Sequence, residues 1–211
     1  MLMMDTSGFL FFAFASLMLN ITPGADMLYV ATRSTSQGVK AGIVSALGIM
    51  SGCIVHLLAA IVGLSAVIAS SALAFSVIKY AGGVYLIYLG IQSFFGKQNV
   101  FELKAPAMQP LTKVFRQGVI TNVLNPKVAL FFLAFLPQFI HPGKASAQWQ
   151  IFLLGAWFNI SGTIVNILVA LLFGKMGNWL AKKEWFIKWQ HKITGLLLFG
   201  LGIKVALGAR K

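Results

Sequence analysis

Two short stretches place groups able to do chemistry inside otherwise apolar runs. Residues 20–26 read NITPGAD, and residues 121–129 read TNVLNPKVA. Thr22-Pro23 and Asn125-Pro126 each have the form of a helix start, a polar cap followed by proline at the first helical position. In mid-span such a start divides the run into two half-helices. The backbone groups it frees cannot face lipid, so Asn20, Thr22, Asn122 and Asn125 are expected to line a protein-enclosed cavity. A half-helix N-terminus offers free N–H groups and partial positive charge, which suit a substrate carboxylate. Asp26 lies one turn into the first half-helix, where its charge favours the dipole. Lys127 takes the second position of the other, where its charge opposes the dipole and calls for an anion. Asp26 or a bound carboxylate would supply it. Each charge costs about 2.5–3.5 kcal/mol at a span centre. The competing readings are a plain proline kink without a ligand, a solvated Asp26 near the interface and a snorkelling Lys127. Two breaks in matching positions weigh against the first of these.

Other polar groups in apolar runs are secondary candidates: His56 in one run, Asn159 and Asn166 in another. A lone histidine in a span is more often packed and hydrogen-bonded than a proton carrier. Gly48 and Gly52 form a small-xxx-small pair that reads as a close helix contact. Lys79 is expected to snorkel.

The elements that hold these groups follow from composition. The chain has 211 residues, 58% hydrophobic and 10% charged, with only four acidic residues. An ordinary globular domain is about a quarter charged. Mean hydropathy is +0.85. Six runs are long enough to cross a bilayer as helices, near 9–30, 42–68, 73–94, 114–140, 149–173 and 187–207. A barrel would show short alternating segments instead. No secretory leader is expected, because residues 1–7 carry no Lys or Arg. The single cysteine, Cys53, excludes an internal disulfide and a cysteine-based zinc site. No cofactor or metal is expected.

Net charge of +13 would point to nucleic acid in a soluble chain, but here the basic residues gather between apolar runs. The first connection holds Arg33 and Lys40. The third holds Lys97, Lys104, Lys113 and Arg116, and the fifth holds Lys175, Lys182, Lys183, Lys188 and Lys192. Lys144 is alone in the even-numbered connections. The positive-inside rule puts the odd connections in the cytoplasm and both termini outside, against the small opposing weight of Arg210 and Lys211. The partner of the chain is thus the lipid bilayer and not nucleic acid. The fifth connection interleaves Trp179, Trp185, Trp189 and Phe186 with lysines, as a headgroup-level helix or an ordinary basic loop would.

The chain also repeats itself. SGCIVHLLAA at 51–60 resembles SGTIVNILVA at 161–170, which pairs His56 with Asn166. GVYLIYLGI at 83–91 resembles GLLLFGLGI at 195–203, and NITPGAD pairs with the Asn125-Pro126 stretch. Three matches in one order give two three-helix halves of opposite orientation, the inverted-repeat construction of secondary transporters. The fold class expected is an all-α integral membrane protein of six transmembrane helices in two inverted three-helix repeats, the first and fourth interrupted at Pro23 and Pro126. It forms one domain over 1–211, with repeat one near 5–96, a cytoplasmic linker at 97–112 and repeat two near 113–208.

The stretches LNITPGADMLYVATRSTSQGVKAGIVSALGIMSGCIVH, IKYAGGVYLIYLGIQSF and FRQGVITNVLNPKVALFFLAFLPQFI together resemble the lysine exporter/homoserine-threonine resistance family. The resemblance covers nearly the whole chain. It implies a six-helix exporter of amino acids or their derivatives in the bacterial inner membrane, driven by the proton gradient, with protons and a small amino acid as partners. Its signature residues fall on Pro23, Gly24, Asp26, Asn125, Pro126 and Lys127. Ala25 stands where the family often has a second proline.

A divalent-cation exporter of related fold is the alternative within transport. It needs several hard oxygen ligands or a His/Cys cluster, against one intramembrane carboxylate and one histidine here. An intramembrane enzyme is less favoured: no paired catalytic aspartates, Gly-x-Ser-x-Gly or His-Glu-x-x-His occurs, and Ser51 and Ser161 lack an evident base. A cationic cargo is disfavoured because Asp26 alone could balance it. The sequence leaves open which amino acid is carried and whether the chain forms a homo-oligomer.

Overall fold

The computed structural model describes residues 6–64, 72–95, 107–141 and 145–180, and seven positions between 192 and 203. The expected sixth span apart from those positions, most of the linker at 97–112, the aromatic-basic stretch beyond Leu180 and the side chain of Lys79 lie outside the described residues.

The described chain is helical, without a strand. Helix α1 (Thr6–Ile21) stops just before Pro23, which has no N–H to continue the ladder. Helix α2 (Ala25–Gln37) follows at a bend of 48°. Gly38, at φ +82°, then turns the chain into α3 (Val39–Ala59) through a backbone conformation that glycine adopts without strain. A π turn at Ala60–Leu64 extends α3. Helix α4 is Ala72–Phe95. Helix α5 (Leu111–Val123) and α6 (Pro126–Leu130) form the second broken pair, and α6 continues through a π turn at Phe131–Phe135 and a 3-10 turn at Leu136–Phe139. The bend there is 45°. Helix α7 (Ala147–Leu180) runs seven residues past the expected end at 173, because nothing in GKMGNWL forbids helix, and it carries Lys175 with it.

Val39–Gly63 and Ala147–Met176 are each long and apolar enough to cross a bilayer, and each bent pair meets the same test only as one unit. Their outward faces are apolar. On α7, Ile160, Ile164, Leu168 and Leu172 form a row spaced by four residues and more than half exposed. A contiguous apolar face of this kind suits hydrocarbon better than water.

Inside, contacts are close where side chains are small. A methyl on Gly52 would come within 2.7 Å of the Val119 carbonyl and 2.8 Å of the Asn122 side chain, so α3 and α5 meet almost backbone to backbone. Gly48 packs on Phe115 and Gly118 of α5 in the same way. On the other side of the broken helices, Phe12, Phe131, Phe135 and Phe158 form an aromatic core, with Phe131 and Phe158 stacked at 3.9 Å between centroids.

The junction of α2 with α5 is polar instead. Arg33, 5% exposed, donates to Gln37, to Gln109, to Gln117 and to the Ala107 carbonyl, and its guanidinium lies 5.7 Å from the Tyr29 ring. The Tyr29 hydroxyl donates to the Val114 carbonyl at 2.7 Å. A buried cation is here held by neutral acceptors.

Candidate functional site

The two breaks face each other across the interior. Asn125 caps α6: its side-chain oxygen accepts from the Lys127 N–H at 3.0 Å, and Pro126 occupies the first helical position. Thr22 behaves differently. Its hydroxyl donates back to the Met18 carbonyl at 2.8 Å, so it finishes α1 and caps nothing beyond. Gly24 is the N-cap of α2, fully extended (φ −171°, ψ −175°) and without a side-chain cap. The extended step at Gly24 delays the helix start past Pro23. The start of α2, with Asp26 in its first turn, therefore lies past the proline, and its partial positive charge favours an anion there.

Lys127 forms no ion pair with Asp26. Its ammonium donates to the Leu19 carbonyl at 3.2 Å and the Thr22 carbonyl at 2.9 Å, both at the C-terminal end of α1. The Leu19 carbonyl also accepts from the Thr22 N–H at 3.2 Å, and a cation at such a helix end is favourable by about 0.3–2 kcal/mol. The mismatch between Lys127 and its own helix dipole is thus answered by the end of another helix. Two of its three N–H donors are used.

Asp26 is 8% exposed. Its Oδ2 accepts from Asn122 Nδ2 at 2.8 Å, while Oδ1 has no hydrogen-bond partner among the described residues. Asn122 Oδ1 and Asn125 Nδ2 are also buried and unpartnered. A buried polar atom left so costs about 1–3 kcal/mol, and more when charged. The Asn122 backbone carbonyl, at the end of α5, is held by His56 Nε2 at 3.0 Å, and His56 stacks on Phe132. An accepting carbonyl requires the proton on Nε2. His56 thus supports the second break from behind and is not part of the cavity wall.

The cavity between the breaks is lined by Asn20, Asp26, Asn122 and Lys127 on the broken helices, and by Asn159, Gly162, Thr163 and Asn166 on α7. Asn20 donates to the Phe158 carbonyl and to Ser161, tying α1 to α7. Asn159 donates to the Met50 carbonyl at 3.3 Å. Met27, Ile49, Cys53, Val128 and Phe158 complete the wall. The space inside for water-sized molecules is about 30 Å³, enough for a water or two and too little for an amino acid. The site is narrow in this conformation.

Of the sequence-derived candidates, Asn20, Asp26, Asn122, Lys127, Asn159 and Asn166 come together around one cavity. Thr22, Pro23, Gly24, Asn125 and Pro126 shape the breaks behind it. Gly24 does so by absence: a methyl there would stand 3.1 Å from Lys127 Nζ. Sequence reasoning missed Thr163 and Gly162. The i, i+4, i+7 spacing of Asn159, Thr163 and Asn166 along one helix face was the available signal. Among the described residues no three His, Cys, Asp or Glu side chains gather as a metal site would need.

Comparison with known proteins agrees with this architecture. The family description "LysE type translocator" matches residues 17–209. An uncharacterized membrane protein of Bacillus subtilis, YrhP, is 36% identical over 90% of this chain and 94% of its own length. A homoserine/homoserine lactone efflux protein of Salmonella typhimurium is 29% identical, covering 90% and 92%. A leucine efflux protein of Salmonella choleraesuis is 25% identical over 88% of each chain. No solved structure matches. The matched region takes in both breaks and the whole cavity wall, and the apolar outer faces are those of a multi-pass membrane protein. The chain belongs to the LysE type translocator family.

Proposed function

We propose that the protein is a secondary transporter that exports amino acids or close derivatives across the bacterial inner membrane in exchange for protons. The observation that carries this reading is Asp26: a buried carboxylate with one oxygen unpartnered among the described residues, on the wall of a narrow cavity at two broken helices. Asp26 Oδ1 and Asn122 Oδ1 are both acceptors and suit a substrate ammonium group. The partial positive charge at the start of α2 and the third donor of Lys127 suit its carboxylate. Asp26 and Lys127 balance each other's charge, as the two ends of a zwitterion do. The relatives named for efflux of homoserine, homoserine lactone and leucine point the same way. These three cargoes share an ammonium group, whereas a lactone has no carboxylate, so the Asp26 end is the common handle. A carboxylate that holds either an ammonium or a proton links outward passage of one to inward passage of the other.

In this reading each bent pair is one interrupted span, and with α3, α4, α7 and the last helix they make six spans in two inverted repeats. Contacts between repeat-related positions support it. Gly24 and Lys127, each the residue after its break proline, touch each other. Gly90 lies against Gly195 and Gly83 against Gly202, a pairing that maps onto itself when the halves exchange. The basic connections then face the cytoplasm.

Everted membrane vesicles test the proposal. Labelled amino acids should accumulate inside when the lumen is acidified, and a protonophore should collapse the accumulation. Vesicles without the protein should show neither effect. Uptake of no amino acid above that control would defeat the reading.

A further inference from the structure

We infer that the polar face of α7 is a selector for the substrate side chain, and that it favours amino acids with an uncharged hydrogen-bonding side chain over aliphatic ones. The inference rests on the cavity being the transport site. With Asp26, Asn122 and Lys127 assigned to the ammonium and carboxylate, the wall opposite remains: Asn159, Thr163 and Asn166, on one face of a rigid 34-residue helix. Asn166 is 8% exposed, lines the cavity, and makes no hydrogen bond with the rest of the described chain. An amide so placed presents both a donor and an acceptor inward. Thr163 spends its proton on the Asn159 carbonyl at 2.7 Å, which leaves the lone pairs of its hydroxyl to accept. Asn159 uses one of its two N–H donors on Met50.

Gly162 completes this face. A methyl on it would meet the Asn20 amide at 2.9 Å, so the polar wall of α1 fills the place of a side chain. Among the described residues the wall carries no charge beyond Asp26 and Lys127. A cationic or anionic side chain would therefore enter without a counter-charge. A purely aliphatic side chain would strip water from the Asn166 amide and return nothing. That is the situation in which a site built for hydrogen bonding rejects an analogue lacking the polar atom.

Isosteric pairs separate polarity from size: homoserine against norvaline, and threonine against valine. Initial uptake into everted vesicles should favour the hydroxylated member of at least one pair by about tenfold or more in kcat/KM, since one lost hydrogen bond in a narrow site reaches that scale. Asn166→Leu keeps the branched skeleton and, because Asn166 makes no hydrogen bond among the described residues, should insert normally. It should bring the ratio close to one, chiefly by raising KM for the hydroxylated member. Thr163→Val provides a second variant of the same face and should shift the ratio in the same direction. A wild-type ratio near one in both pairs would overturn the inference, as would a ratio left unchanged by both variants. Failure of wild-type vesicles to take up either member of either pair, or any other amino acid, would instead defeat the export reading beneath it.

Discussion

Replacing Asp26 by Asn changes almost nothing in shape and inverts the chemistry of the site. The new amide oxygen can still accept from Asn122 Nδ2, which now reaches Oδ2 at 2.8 Å. The amide nitrogen must then stand where Oδ1 stands, turning the unpartnered acceptor into a donor. A substrate ammonium would meet an N–H in place of a carboxylate oxygen. A hydrogen bond to a charged group contributes about 1.5–3 kcal/mol, which at 1.4 kcal/mol per decade corresponds to roughly a 10- to 150-fold loss of affinity. Stability should move the other way or not at all, because a buried charge with an open lone pair is removed. The assay is uptake of labelled amino acid into everted vesicles at sub-saturating concentration, both gradient-driven and as substrate-for-substrate counterflow, with thermal unfolding of the purified protein alongside. Both transport modes should fall at least tenfold while the melting temperature holds or rises. Wild-type rates in both modes would refute the assignment of the ammonium to Asp26. Lost gradient-driven uptake with intact counterflow would also refute it, leaving Asp26 with the proton alone.

Lys127→Met should lower the melting temperature as well as transport, since it strips the ammonium from the Leu19 and Thr22 carbonyls; Lys127→Arg should recover stability better than Met does. Because Asp26 and Lys127 share no hydrogen bond, the double change Asp26→Asn/Lys127→Met should not rescue export, and recovery to wild-type uptake would show that mutual neutralisation is their whole role. Gly52→Ala should cost about 1–3 kcal/mol by overpacking the α3–α5 contact, read as a lower melting temperature and reduced insertion. For topology, cysteines at positions 104 and 144 on a Cys53→Ala background should label from opposite faces of the membrane with an impermeant reagent, and labelling of both from outside would reverse that expectation.

The helix breaks were legible in the sequence because proline beside Asn or Thr stands out in an apolar run, whatever the rest of the chain does. The partners across the breaks were not. Lys127 meets carbonyls more than a hundred residues away, and no local rule chooses between those, Asp26 and a ligand. Thr22 looked like a cap because cap and terminator use the same hydroxyl. Only the extended step at Gly24 decides which way it turns. The small-xxx-small pair on α3 announced a close contact without naming α5 as its partner. His56 drew attention as an isolated titratable group, and its place behind the second break depends on the tertiary approach of α3 to Asn122. Thr163 went unnoticed because a threonine in an apolar helix is ordinary. Its position in register with two asparagines is what matters.

The central claim is that an amino acid occupies the cavity between the two breaks, and Cys53 allows this to be measured in the native chain. It is the single cysteine, is 3% exposed and lines that cavity. The measurement is the rate at which a small permeant maleimide alkylates Cys53 in the purified protein, with and without a saturating transported amino acid. The substrate should slow alkylation severalfold in the wild type and leave the Asp26→Asn variant unprotected at the same concentration. Equal rates with and without an amino acid that the protein demonstrably transports would place the cargo elsewhere and contradict the account.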